Sequence, residues 1–419
     1  MMRVLWRRLL SVVYAATLVL VGCWLAARVA ALYYVHRTVE RFEAKYGSID
    51  PALNVRPVVG RAEDGGRFYR AAAELVVPPG EGEKLWREPR KAPSEEAFRE
   101  SFDRVRVRFE RAAELLDLGA KEAKCQITER WPESLSERLP VDGIALLNLA
   151  RFRLAAARVA RLTGEPDAFD TGIASALSLA ACLEEEPTFL VAVGMAIERL
   201  ALAELIDAWQ TPSLGSPLEL AATTRKIASL PALDIAGCLR SEAVLIGPHR
   251  EEWLFDQPAS EPWLPRLLSL PALSRALALA EVEQGLGALG APEPRRGPAG
   301  LLALFGDGAT YWTLARKAEA QTSLRSLVRM GLIANRSRIA AQPYPDKPVP
   351  REPLAPGPTG LLVDESVVWD RGADGSLSLS LPATAKLWGE LTAKFPLDPA
   401  GSFPGWSIRF PSPTIERTR

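Results

Sequence analysis

The longest apolar run in the chain stands at its start. From Leu9 to Ala27 no charged residue interrupts it, and after Arg28 it resumes through Val29, Leu32, Tyr33 and Tyr34. About 20 apolar residues in a helix rising 1.5 Å per residue match the hydrocarbon thickness of a bilayer. The pattern predicts a transmembrane anchor over 1–34, touching the bilayer through residues 9–34. Arg3, Arg7 and Arg8 precede the run, which places the N-terminus in the cytoplasm and the bulk of the chain outside. Trp6, Trp24, Tyr33 and Tyr34 fall where interfacial rings are expected. Arg28 stands late enough for its stem to snorkel to the far headgroups. Two rival readings are a cleaved signal peptide and a lipoprotein. Leu20-Val21-Gly22-Cys23 has the form of a lipobox, with Cys23 as the lipidated residue.

Past the anchor, residues 35–66 read as a polar extension of that helix and a linker. Gly47 and Pro51 stop the helix, and the linker carries Pro57, Gly60, Gly65 and Gly66. From 67 to 340 the apolar spacing is helical. A short helix is predicted over 67–76, and a longer one begins at Ser94. There Ser94 is the N-cap, Glu95 and Glu96 suit the positive helix end, and Phe98, Phe102, Val105 and Phe109 share one face. Further helices are expected over 143–162, 168–183, 188–209, 218–230, 233–246, 272–289 and 309–340, with Pro/Gly breaks between them. Helices of this length on short turns predict antiparallel hairpins, arranged as a solenoid or a bundle. The segment 341–419 differs. Seven prolines between Pro343 and Pro358 exclude a helix there. Val367-Val368-Trp369, a turn at Asp374-Gly375 and the alternating Leu377–Leu381 predict a β-hairpin. A short helix over 383–393 and a strand over 406–410 follow. The expected class is mainly α, with a transmembrane helix, a helical-hairpin body and a small C-terminal α+β piece.

Composition narrows the function. The 51 Lys+Arg balance 51 Asp+Glu, so bulk charge does not draw the chain to nucleic acid. With 48% apolar and 24% charged residues it is an ordinary folded chain. Beyond Cys23, the cysteines Cys125, Cys182 and Cys238 sit in apolar contexts and read as small buried hydrophobes. A disulfide between two of them is the alternative in an oxidising compartment.

The chemistry-bearing residues are few. There are 2 His. His36 reads as a stalk residue beside the membrane, and His249 as a helix-end or surface group. Two isolated histidines do not make a metal set. Neither a phosphate-binding glycine loop nor a nucleophile elbow nor a zinc-protease helix occurs. Glu184, Glu185 and Glu186 read as an acidic cap on the following helix. Glu198, Glu204 and Glu242 stand inside apolar helices and are expected to be solvated or paired with a neighbour. Of the 11 Trp, Trp253, Trp263, Trp312, Trp369, Trp388 and Trp406 crowd the second half and read as packing groups. Asn335-Arg336-Ser337 has the form of a glycosylation acceptor within a predicted helix. No catalytic, cofactor-binding or metal-ligating residue is assigned.

A single anchor, an Ala/Leu/Arg-rich helical body and a Pro-rich end with a small hairpin resemble bacterial single-pass envelope proteins. The stretch Leu324–Leu381, with Tyr344-Pro345 and Asp374-Gly375 as landmarks, resembles the C-terminal region of pseudopilins. The resemblance implies an envelope context, in the bacterial inner membrane with a periplasmic body, and no reaction. The expected function is a protein-interaction scaffold with a protein partner and no cofactor. Two alternatives stand: a tethered hydrolase of envelope polymers acting through paired carboxylates, and a secretion-apparatus component.

Overall fold

The computed structural model describes residues 2–50, 59–60, 63–76, 94–122, 124–127, 142–184, 186, 188–210, 218–246, 278–287 apart from 281 and 284, 309–345, 367–381 and 407–413. Most of the expected linker lies outside them. So do Glu185, His249, Trp253, Trp263, Trp388, Trp406, the prolines from 348 to 358 and the expected 383–393 helix. The described chain is mainly helical, with one small antiparallel sheet. It divides into two compact units, each built from separated stretches.

Unit 1 comprises Met1–Arg56, Arg130–Arg138 and Leu239–Trp312. Its main element is α1, Met2–Tyr46, a single helix of 45 residues ended by Gly47 at φ +96°. The window Leu10–Tyr46 includes a segment long and apolar enough to cross a membrane. Between Leu10 and Val29 the large apolar side chains are exposed, apart from the half-buried Trp24. From Ala31 onward the picture changes. Ala31, Val35, Thr38, Val39 and Phe42 are buried at helical spacing, and Ile49 follows. Leu279 and Val282 are buried in the same unit. Arg41 donates to both oxygens of Glu283 at 2.5–3.1 Å, which brings α1 beside the 278–287 stretch. The segment expected as a polar stalk is therefore a packed helix with one apolar face. The exposed apolar part, residues 10–30, is ~31 Å long at 1.5 Å per residue, the thickness of a hydrocarbon core. Arg28 does not reach forward. Its guanidinium lies over the Trp24 ring, 4.5 Å from the centroid, because helical side chains lean toward the N-terminus.

Unit 2 comprises Pro57–Glu129, Leu139–Cys238 and Thr313–Arg419. It holds α2 (Gly66–Leu75), α3 (Glu95–Gly119), α4 (Gly143–Thr163), α5 (Pro166–Leu183), α6 (Thr188–Gln210) and α7 (Ala221–Ser229). The helix α8 (Ile235–Ile246) begins in it and passes into unit 1. The helix α9 (Ala309–Ile339) begins in unit 1 and runs into unit 2. Local chemistry sets the boundaries. Ser94 accepts a hydrogen bond from the Ala97 amide, and Asp142 accepts one from Ile144. Gly164, at φ +80°, closes α4, and Pro166 opens α5 two residues later. The helices α4, α5 and α6 pack on one another. A Cβ at Gly172 of α5 would stand 2.7 Å from the Ala157 Cβ of α4, so glycine permits this approach. Phe98, Phe102, Val105 and Phe109 of α3 all face inward, as their spacing predicts.

The sheet has the order β1–β2–β3, with β1 Val368–Arg371, β2 Leu377–Ser380 and β3 Ser407–Phe410. Trp369 pairs with Leu379, and Leu379 with Ile408. Gly375, at φ +77°, makes the hairpin turn, and the Asp374 carboxylate accepts from the Ser376 amide. Leu377, Leu379, Ile408 and Phe410 join the core of α4–α6 and α9. Phe410 meets Trp209 and Tyr344, and the Tyr344 hydroxyl donates to the Pro411 carbonyl at 2.5 Å. Trp369 packs against the same core, as a packing tryptophan should.

Candidate functional site

Three places in unit 2 gather chemistry: a buried ionic centre, a disulfide clasp and an open groove. Arg325 of α9 forms the ionic centre. Its Nε and Nη2 donate to both oxygens of Glu198 on α6 at 2.6 Å. Its Nη2 also donates to the two oxygens of Glu184 at 2.9 and 2.7 Å, and its Nη1 to the Pro231 carbonyl at 2.6 Å. All three side chains are under 5% exposed.

One guanidinium faces two carboxyl groups, so the charges balance when the pair holds one proton. The directions agree. Burial pushes Glu184 up, the Glu198 charge and a hydrogen bond to Glu198 push it further, and together they overcome Arg325 to leave it at about 9. Burial also pushes Glu198 up, but the Arg325 charge and hydrogen bonds from Arg325, Glu184 and Gln321 outweigh it and hold it below the usual carboxylate value. Burial alone would lower Arg325, and the two carboxyls reverse this and raise it. The two acids titrate as one dyad, with the proton on Glu184 donated to Glu198.

Glu184 and Glu186 therefore do not act as a dipole cap. They turn inward, Glu184 to Arg325 and Glu186 to the Ile127 amide at 2.9 Å. Glu204 lies with Asp207 against Arg158 of α4, at 3.2 and 3.1 Å. Glu242 is half-buried on α8. Arg199 is almost fully buried. Burial first and Arg151 second pull its pKa down to about 9, and burial with the Arg199 charge lowers Lys317. The Asn335 amide is buried and donates to the Leu218 carbonyl at 2.7 Å, so its nitrogen is already engaged.

The second feature corrects the reading of the cysteines. Cys125 and Cys182 form a disulfide, with Cα atoms 5.5 Å apart, while the exposed Cys23 and the buried Cys238 take no part in a disulfide. The bridge fastens residues 124–127 to the end of α5. Around it Asp64 accepts from the Gly66 and Gln126 amides at 2.9 and 2.8 Å, and Arg70 donates to the Gln126 carbonyl at 2.7 Å. Sequence spacing does not reveal this pairing, because 57 residues separate the partners.

The groove lies between α3, α4 and the start of α5, with a volume of about 610 Å³. Phe102, Phe152, Ala156 and Val159 supply its apolar floor. Phe152 stacks between Phe102 and Phe109 at 5.1 and 4.9 Å. Asp103, Arg106, Glu110 and Glu114 form one rim, and Arg153, held by Asp117 at 2.9 Å, stands on the other side. Among the described residues no three His, Cys, Asp or Glu side chains converge as a metal set. Compared with known protein families, with curated proteins and with solved structures, the chain matches none.

Proposed function

We propose that the protein is a single-pass membrane protein whose body lies outside the cytoplasm and serves as an interaction scaffold in a bacterial envelope. The observation that carries the reading is α1, where exposed apolar residues run for one bilayer thickness and then give way to a buried face. A helix with that much exposed apolar surface needs apolar surroundings. The Cys125–Cys182 disulfide supports an oxidising compartment, and the basic residues before the span support a cytoplasmic N-terminus. The groove over Phe102 and Phe152 is the favoured partner surface.

The structure argues against Glu184 and Glu198 as a hydrolytic pair. Their side chains are 2% and 0% exposed and bound to Arg325, so a polymer has no path to them. The secretion-apparatus reading keeps one supporting observation. A long helix, Tyr344 and an antiparallel sheet follow one another and share one core.

Photo-crosslinking in intact cells tests the scaffold. A photoreactive residue at Arg106 or at Glu110 is expected to give the same discrete adduct, absent when the probe stands at the exposed Arg409. Adducts of equal pattern from all three positions, or none from the groove, would count against a partner there.

A further inference from the structure

A second open cleft of unit 2 lies between α3, α5 and α7, with a volume of about 640 Å³. That size suits a small ligand. Its lining differs from that of the first groove, since no aromatic or large aliphatic side chain faces it. Lys121 stands at the end of α3, and Arg225 and Lys226 stand on α7. Thr171 and Ser175 bring hydroxyls from α5, and Ser175 is 3% exposed. The one carboxylate in the lining, Asp117, is engaged by Arg153.

The cations stand on a fixed seat. The Asp170 carboxylate accepts from the Ala222 and Thr223 amides at 2.7 and 2.8 Å, and the Thr223 hydroxyl donates to the Asp170 carbonyl at 3.2 Å. Asp170 thus holds the N-terminus of α7 on α5, and Thr223 is fully buried. Three positive groups with one neutralised acid favour an anion. The apolar part of the lining comes from small side chains such as Ala120, Ala174 and Ala222 and offers no large side chain to a greasy ligand, while the hydroxyls suit a ligand rich in its own hydroxyls.

We infer that the α3–α5–α7 cleft binds an anionic sugar, with its phosphate or carboxylate toward Lys121, Arg225 and Lys226 and its hydroxyls toward Thr171 and Ser175. This goes beyond the scaffold reading and does not depend on it.

Calorimetric titration of the full chain in mild detergent at low salt tests the inference, with glucose 6-phosphate, glucuronate, glucose and inorganic phosphate as probes. At least one charged sugar is expected to bind about tenfold or more tighter than both glucose and phosphate, and to weaken as salt rises. Which charged sugar wins identifies the anionic group. The double variant Lys121→Gln/Arg225→Gln is expected to lose about tenfold or more in affinity for that sugar. Both side chains are exposed, so its thermal melt should match the wild type, and Arg106→Gln in the other groove should bind normally. A single Arg225→Glu variant gives a second reading of the same charge. Saturable binding by neither charged sugar, equal binding of glucose or phosphate, or unchanged affinity in the charge variants overturns the inference.

Discussion

Replacing Glu184 by Gln probes the ionic centre directly. In the folded chain the Glu184–Glu198 pair keeps one proton up to about pH 9, whereas in the unfolded chain both acids lose theirs near pH ~4.3. Glu184 is the raised group, so its contribution is complete below the unfolded value and is lost as pH rises toward 9. Glu198 is the lowered group, and its contribution is lost as pH falls below the unfolded value. Between about pH 5 and 9 the folded state holds one more proton than the unfolded, and stability falls by about 1.4 kcal/mol per pH unit. From pH 5 to 8 that amounts to about 4 kcal/mol. With only 2 His in the chain, and with Arg199 losing its proton only near pH 9, few other groups titrate between pH 5 and 8. Glu184→Gln keeps a hydrogen-bond donor toward Glu198 and removes the proton that must be taken from solution. The variant should show a nearly flat stability profile and be the more stable protein at pH 8. Urea unfolding in detergent, followed by tryptophan fluorescence across pH, reads both curves. Parallel profiles for wild type and variant, or a flat wild-type profile, would refute the shared proton.

Other perturbations have expected outcomes of their own. Arg325→Met leaves Glu198 buried without its cation and should cost about 3–5 kcal/mol in the same unfolding assay. Phe42→Ala, at a position 1% exposed, should lower stability by about 3–5 kcal/mol, because the outer half of α1 belongs to the core of unit 1. Insensitivity at Phe42 would restore the free stalk. Replacing both Cys125 and Cys182 by Ala should cost about 2–4 kcal/mol, given the 57-residue separation they close, and a denaturation midpoint equal to wild type would contradict it.

Much of the fold was legible because it is written locally. The Ser94 cap, the Phe98–Phe109 face, the Gly164-Glu165-Pro166 stop and the Asp374-Gly375 turn each fix an element through near neighbours. The third strand, Ser407–Phe410, falls within the expected 406–410. What the sequence hid depends on distant partners. Glu184 reads as a cap until Arg325, 141 positions away, is seen to draw it inward. The Cys125–Cys182 pairing and the Arg41–Glu283 contact are likewise long-range. The burial of Val35, Val39 and Phe42 had a local signal, an apolar stripe at helical spacing, which the neighbouring charges Arg37, Glu40 and Arg41 obscured.

The central claim, a membrane-anchored body in an oxidising compartment, meets its most direct test in the thiols. Cells are quenched with acid, membranes are collected, free thiols are alkylated, and peptides are identified by mass spectrometry without reduction. The account predicts that the protein is in the membrane fraction, with Cys125 and Cys182 recovered as one disulfide-linked pair and Cys238 alkylated. Recovery in the soluble fraction, or alkylation of Cys125 and Cys182 as free thiols, would contradict it.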